Sequence, residues 1–134
     1  MVDTDLISQI VAAALEVHKT LGGPGLIENV YESALCHELT LRGFQHKRQI
    51  PIPVLYKGFA VREPLFLDVL VENQVIVEVK ALGKEYPYYQ AQVATYLRLT
   101  GLKLGLLIDF GRTSLKEGIS KIVNSTVSPQ SNQG

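Results

Sequence analysis

The sequence predicts an α/β fold, a single domain in which helices cover one mixed sheet, and three observations lead there. The 134 residues carry 46% apolar and 19% charged side chains with a mean hydropathy of +0.14, enough for a core of ordinary size and against disorder over most of the length. Apolar spacing is helical up to about Arg42 and changes to a period of two from Gln49. Two runs, VIVEVKAL and LKLGLLIDF, are apolar on both faces, as strands covered on both sides are, and a helical stretch separates them.

The first helix is expected from Asp5 to Leu21, capped by Thr4 or Asp3, with Leu6, Ile10, Ala13, Ala14 and Val17 on one face. Gly22-Gly23-Pro24-Gly25 stops it, because glycine takes the left-handed exit and proline cannot continue the helix. A second helix is expected from Leu26 to Arg42, with Ile27, Val30, Ala34, Leu35 and Leu39 inward and Gly43 as its stop. From Gln49, Ile50, Ile52, Val54 and Tyr56 alternate with Pro51 and Pro53, which places this segment at a sheet edge. Lys57-Gly58 turns the chain, Phe59 and Val61 and then Leu65 to Val71 bring it back, and Glu72-Asn73-Gln74 turns it again. VIVEVKAL then reads as the central strand. Pro87 opens a third helix, Tyr88 to Thr100, which Gly101 ends; LKLGLLIDF follows as a buried strand and Ser114 to Asn124 as a last edge strand. The domain spans residues 1–124, and Ser125 to Gly134 reads as a loose, disordered tail.

Composition excludes several classes. One cysteine, Cys36, permits no internal disulfide framework, and His18, His37 and His46 lack the spacing of a zinc pair. His18 near the end of the first helix is read as structural. No apolar run approaches the ~18 residues of a membrane span, and MVDTDLISQ does not resemble a signal peptide, so a cytoplasmic protein without a membrane partner is expected. Thirteen basic residues balance thirteen acidic ones, so the chain as a whole is no polycation. A local basic rim from His46, Lys47, Arg48, Lys57, Lys80, Lys84 and Arg98 is compatible with that balance.

Three ionisable residues interrupt the most apolar strands: Asp68 in FLDVLVE, and Glu78 and Lys80 in VIVEVK. A charge inside a sheet is costly unless it is paired, hydrogen-bonded or bound to a metal. Glu78 and Lys80 are two apart and leave one face of their strand. Asp68 meets them only if the intervening connection has an odd number of residues, as Glu72 to Gln74 would, or contains a bulge. Two opposed carboxylates make a hard oxygen site for Mg²⁺ or Mn²⁺; the same residues could instead form an Asp–Lys–Glu ion-pair cluster. Gln92 and Tyr96 share one face of the third helix, and Glu28 and Glu32 share one face of the second.

The ordered combination of these motifs resembles a known family. Gly25-Leu26-Ile27-Glu28-Asn29-Val30-Tyr31 is similar to the signature of the GxxExxY proteins, small domains assigned to the PD-(D/E)xK nuclease superfamily. The resemblance runs from about Val17 to Asn124 and includes LGGPGLIENVYESAL, QIPIPVLYKG, FLDVLVENQVIVEVKAL, QAQVATYL and TGLKLGLLIDFG. It departs at Leu67, where the superfamily's name has proline, and LGGPG is one glycine longer than the family's LGPG.

The resemblance implies a restriction-endonuclease-like core, αβββαβ with an extra N-terminal helix, around a central mixed sheet. Within it, Asp68, Glu78 and Lys80 match the D…ExK motif, Gln92 and Tyr96 match QxxxY, and either Glu28 or Glu32 matches the first-helix glutamate. Gly25, Glu28 and Tyr31 are the family signature, Tyr31 also fitting plain core packing. The implied activity is metal-dependent hydrolysis of phosphodiester bonds in nucleic acid, DNA rather than RNA. Mg²⁺ or Mn²⁺ would be held by Asp68, Glu78 and the Val79 carbonyl, with Lys80 assisting attack of water. A homodimer would cut two strands. The alternative is a catalytically silent nucleic-acid-binding or protein-interaction module on the same fold.

Overall fold

The computed structural model describes residues 4–126. Helix α1 spans Thr4–Thr20 and α2 spans Glu28–Leu41, followed by β1 (His46–Ile52), β2 (Leu55–Tyr56), β3 (Phe59–Ala60), β4 (Leu65–Val71) and β5 (Val75–Lys80). Then come α3 (Pro87–Thr100), β6 (Leu104–Asp109), a 3₁₀ turn (Leu115–Gly118) and β7 (Ile119–Val123). Five strands form one sheet in the order β1-β4-β5-β6-β7, with β5 at its centre and parallel only to β6. The α3 crossover between β5 and β6 makes that parallel pair possible. The sheet is mixed, as expected, and is flanked by helices.

Several boundaries differ from those expected. Thr4 opens α1, while Asp3 and the tail beyond position 126 lie outside the described residues. Helix α2 begins at Glu28 because the glycine-rich loop continues through Ile27, whose backbone is extended. Its buried stripe is Tyr31, Glu32, Leu35, Cys36 and Leu39, so Ile27 and Val30, expected inward, are exposed. Strand β1 ends at Ile52, because Pro53 has no N–H to extend the ladder. Leu55–Tyr56 and Phe59–Ala60 then form a separate hairpin, whose turn residues Lys57 and Gly58 both have positive φ (52° and 81°). That pattern is the tight two-residue turn suited to strand twist.

Two apolar layers sandwich the sheet. Alternate β5 residues Val75, Val77 and Val79 pack with α1, α2 and Phe110, whereas Ile76 packs with Val93, Tyr96 and Leu97 of α3. Strand β4 changes sides along its length. Val69 and Val71 belong to the α1/α2 layer, but Leu67 belongs to the α3 layer, so the crossover falls at Asp68. The β1–β4 ladder skips the same point: Arg48 pairs with Val69 and Ile50 with Leu67, while Gln49 between them has a φ of 51°. A left-handed glutamine is uncommon. Here it lets both strands turn over together.

Tyr31 is fully buried and stacks on Phe110 at 4.8 Å between ring centres. Its hydroxyl donates to the Gly23 carbonyl (2.7 Å) and accepts from the Leu26 N–H (3.2 Å), so it closes the glycine loop onto the core. Gly25, with a φ of 122°, supplies a backbone turn that a side chain would strain. His18 is structural as read: its Nε2–H donates to the Arg112 carbonyl at 2.8 Å, tying α1 to the loop after β6. Tyr31→Phe keeps the stacking and loses both hydrogen bonds. It should lower unfolding free energy by about 1–2 kcal/mol in urea titrations and speed hydrogen exchange at the Leu26 amide. Wild-type stability together with unchanged exchange would show that the hydroxyl does not hold the loop.

Candidate nuclease site

The connection Glu72–Gln74 has three residues, and it pairs Val71 with Val75, Leu70 with Ile76 and Val69 with Val77. The same register carries Asp68 to the level of Glu78. There the ladder opens and side chains replace main-chain partners. The Asp68 N–H donates to Glu78 Oε1 (2.9 Å) and the Val79 N–H donates to Asp68 Oδ2 (2.9 Å). Each carboxylate therefore spends one oxygen on satisfying the opened backbone. Glu78 Oε2 and Asp68 Oδ1 remain for other partners, Oδ1 having Gln49 Nε2 at 3.4 Å.

Glu78 is only 2% exposed. Burial, and then the Asp68 charge, push its carboxyl up to about 9, against a smaller opposing pull from Lys80. Lys80 forms no ion pair with either carboxylate among the described residues; its Nζ lies 4.4 Å from the centre of the Tyr89 ring. The Asp–Lys–Glu ion-pair cluster is therefore not what the strands form.

Both layers contribute, because the face change at Asp68 opens the site to each. From α2, Glu32 is buried and held by Arg48 (Nη2, 3.0 Å) and by Gln49 Nε2 (3.2 Å). Glu28 is half-buried, and its carboxyl is raised by burial against the pull of Lys80, with Asp68 and Glu32 adding to the rise. From α3, the buried Tyr96 hydroxyl is raised by burial and by the charges of Glu78 and Asp68. Gln92, one turn earlier, is half-buried on the same face.

The sequence profile of the PD-(D/E)XK nuclease superfamily matches residues 4–122. The chain belongs to that superfamily. No curated protein and no solved structure matches. The sheet order, its covering helices and this match together make the fold restriction-endonuclease-like.

PD-(D/E)XK nucleases generally use divalent metals, and the donor chemistry here fits one. Two carboxylates face each other across the opened strands, anchored by peptide N–H groups, and the cost of ionising Glu78 beside Asp68 is what a small cation relieves. No group of three or more His, Cys, Asp or Glu side chains converges as a metal site among the described residues. A cation bound here would have two carboxylates as its side-chain donors, with main chain, substrate or water completing the set.

Three residues went unread in the sequence. Gln49 bridges Glu32 and Asp68, yet nothing in QIPIP signals its left-handed backbone. Tyr89 underlies Lys80 and is hidden in the tyrosine run that opens α3. Asp109 is buried at the end of β6 and accepts N–H groups from Leu82, Gly83 and Gly111 at 2.7–3.2 Å, fixing the loop that leaves Lys80. An acid closing an otherwise apolar strand is the signal that would have found it. The expected basic rim is split: Arg48 is consumed by Glu32, His46 and Lys47 lie at the opposite end of the sheet, and Arg98 sits in the last turn of α3.

Glu78→Gln keeps the acceptor for the Asp68 N–H and removes the ionisable group. The raised carboxyl binds its proton more tightly folded than unfolded. The contribution of Glu78 to native stability is therefore greatest below about 4.5 and falls as pH rises toward 9. In chelator, the variant should match wild type near pH 4 and exceed it by on the order of 1–3 kcal/mol at pH 7. Thermal melts across pH would read this. A variant less stable than wild type at pH 7 would mean that Glu78 is held as a stabilising ion.

Proposed function

We propose that the protein is a nuclease hydrolysing phosphodiester bonds with Mg²⁺ or Mn²⁺, acting on DNA rather than RNA in the cytoplasm. One observation carries this reading: Asp68 and Glu78 meet across the opening between β4 and β5, two residues before Lys80. Membership of the superfamily supports it, and so does the resemblance of Asp68, Glu78 and Lys80 to the D…ExK pattern. No helix among the described residues is long and apolar enough to cross a membrane.

Asp68, Glu78 and the Val79 carbonyl would hold the ion. When bound, it supplies polarisation of the scissile phosphate and acidification of water. The remaining roles fall to this chain. Lys80, resting on Tyr89 and in no ion pair among the described residues, meets the phosphate oxygens as their charge grows. Glu32 is committed to Arg48 and Gln49, which leaves Glu28 as the α2 carboxylate facing the reaction. Its raised pKa suits it to take the proton of the attacking water. Tyr96 and Gln92 orient Lys80 or the substrate backbone from α3. The water oxygen bonds to phosphorus, the ester P–O bond breaks, and the leaving oxygen takes a proton from solvent.

Purified protein should cleave labelled DNA with Mg²⁺ or Mn²⁺ and lose that activity in chelator. Lys80→Ala and Asp68→Asn should each reduce it by about a hundredfold or more while folding normally. Cleavage that persists in both variants would belong to a contaminant, and failure to cleave every DNA and RNA in a broad panel would leave the silent binding module as the correct reading.

A further inference from the structure

We infer that the substrate is single-stranded nucleic acid, gripped by a rim of lysine-backed aromatic rings around the Lys80 end of the sheet; this rests on the nuclease reading. Strand β4 runs antiparallel to β5, so its start, where the β2–β3 hairpin joins, lies at the same sheet end as Lys80. The α3 N-terminus, which follows Lys80 by a short loop, lies there too. Both elements expose aromatic rings. On the hairpin, Tyr56 and Phe59 are 64% and 71% exposed, and at the start of α3 Tyr88 is 68% exposed. Exposed aromatic rings on two elements at one sheet end offer a surface for a ligand with flat faces.

The lysines decide the partner. Lys57 Nζ lies 5.4 Å from the Tyr56 ring, Lys84 Nζ lies 5.4 Å from Tyr86, and Lys80 stands over Tyr89. A protein–protein interface core excludes lysine, because burying the ammonium costs its hydration. Single-stranded nucleic acid uses both halves of each pair: bases stack on rings and phosphates meet ammonium groups. A hollow of about 90 Å³ lies between Lys80, Lys84 and Tyr86, with Glu85, Asp109 and Glu117 also in its lining. A duplex hides its base faces and presents dense charge that calls for a broad basic face. This chain has zero net charge, and its remaining basic side chains are dispersed or paired.

The test is fluorescence anisotropy of full-length wild type in chelator, which separates binding from cleavage. The probes are an oligodeoxythymidine of about 20 nucleotides and a duplex of equal length. The single strand should bind at least tenfold tighter. Tyr56→Ala with Phe59→Ala, and separately Tyr88→Ala, should each weaken it about tenfold with an unchanged salt slope. Lys57→Ala with Lys84→Ala should flatten that slope. Equal or tighter duplex binding, or aromatic variants that bind as wild type, would overturn the inference while metal-dependent cleavage kept the nuclease reading. Single-strand binding lost in the aromatic variants, with no cleavage of any substrate, would support the surface and remove the nuclease. A dimer in sedimentation that Tyr56→Ala with Phe59→Ala dissociates, without change in binding, would assign the hairpin to self-association and overturn the inference.

Discussion

An odd-numbered turn governs the arrangement of this protein's acidic centre. With three residues between β4 and β5, Asp68 and Glu78 share a level; with two and no bulge they would leave opposite faces. Bringing two acids together in a sheet interior is unfavourable, and the chain offsets part of that cost by opening the ladder where they meet. The peptide N–H groups of Asp68 and Val79 are given to the carboxylates instead of to main-chain carbonyls. The acidic pair is therefore part of the sheet's hydrogen bonding as well as its chemistry. Asparagine or glutamine at these positions can keep the acceptors, whereas alanine leaves main-chain donors without them.

The opening also explains how helices from both layers reach one place. A strand that kept its faces would show Asp68 to one layer only. Because Gln49 turns left-handed opposite Asp68, β1 and β4 roll over together, and the carboxylate at the crossover is within the electrostatic reach of Glu28 on one side and Tyr96 on the other. Other contacts hold this geometry from outside. Asp109 gathers the amides of the loop after Lys80, the Phe110 N–H donates to the Lys80 carbonyl at 2.8 Å, and Tyr31 stacks on the Phe110 ring. Tyr31 thus supports the end of β5 through the core.

Much of this was legible because period and punctuation are local. The central position of VIVEVK followed from its two apolar faces and the edge position of QIPIP from its prolines, while the meeting of Asp68 with Glu78 was conditional on an odd connection, which Glu72 to Gln74 provides. What escaped depends on tertiary packing. Ile27 and Val30 are exposed because the glycine loop delays α2 and the stripe is phased by Tyr31, Leu35 and Leu39. The choice between Glu28 and Glu32 turns on Arg48, a residue on another element. Lys80 looked like a partner for the two acids, but a tyrosine ring from α3 holds it.

That ring placement has a mechanistic reading in the electrostatics of the site. An ammonium locked between Asp68 and Glu78 would neutralise them in the resting protein and leave little attraction for a cation or a phosphate. Held on the quadrupole of Tyr89, Lys80 has a defined position with no ion pair to break among the described residues. Burial beside Asp68 pushes the Glu78 carboxyl up, so it holds a proton more tightly than a free carboxyl does. The protein accepts an unfavourable carboxyl pair between β4 and β5, inside its sheet, a local conflict of the kind that stable folds tolerate at functional sites. A structural ion-pair cluster would have resolved the conflict within the sheet. Here it is left for something from outside to resolve, and that is the physical reason to read these residues as a site.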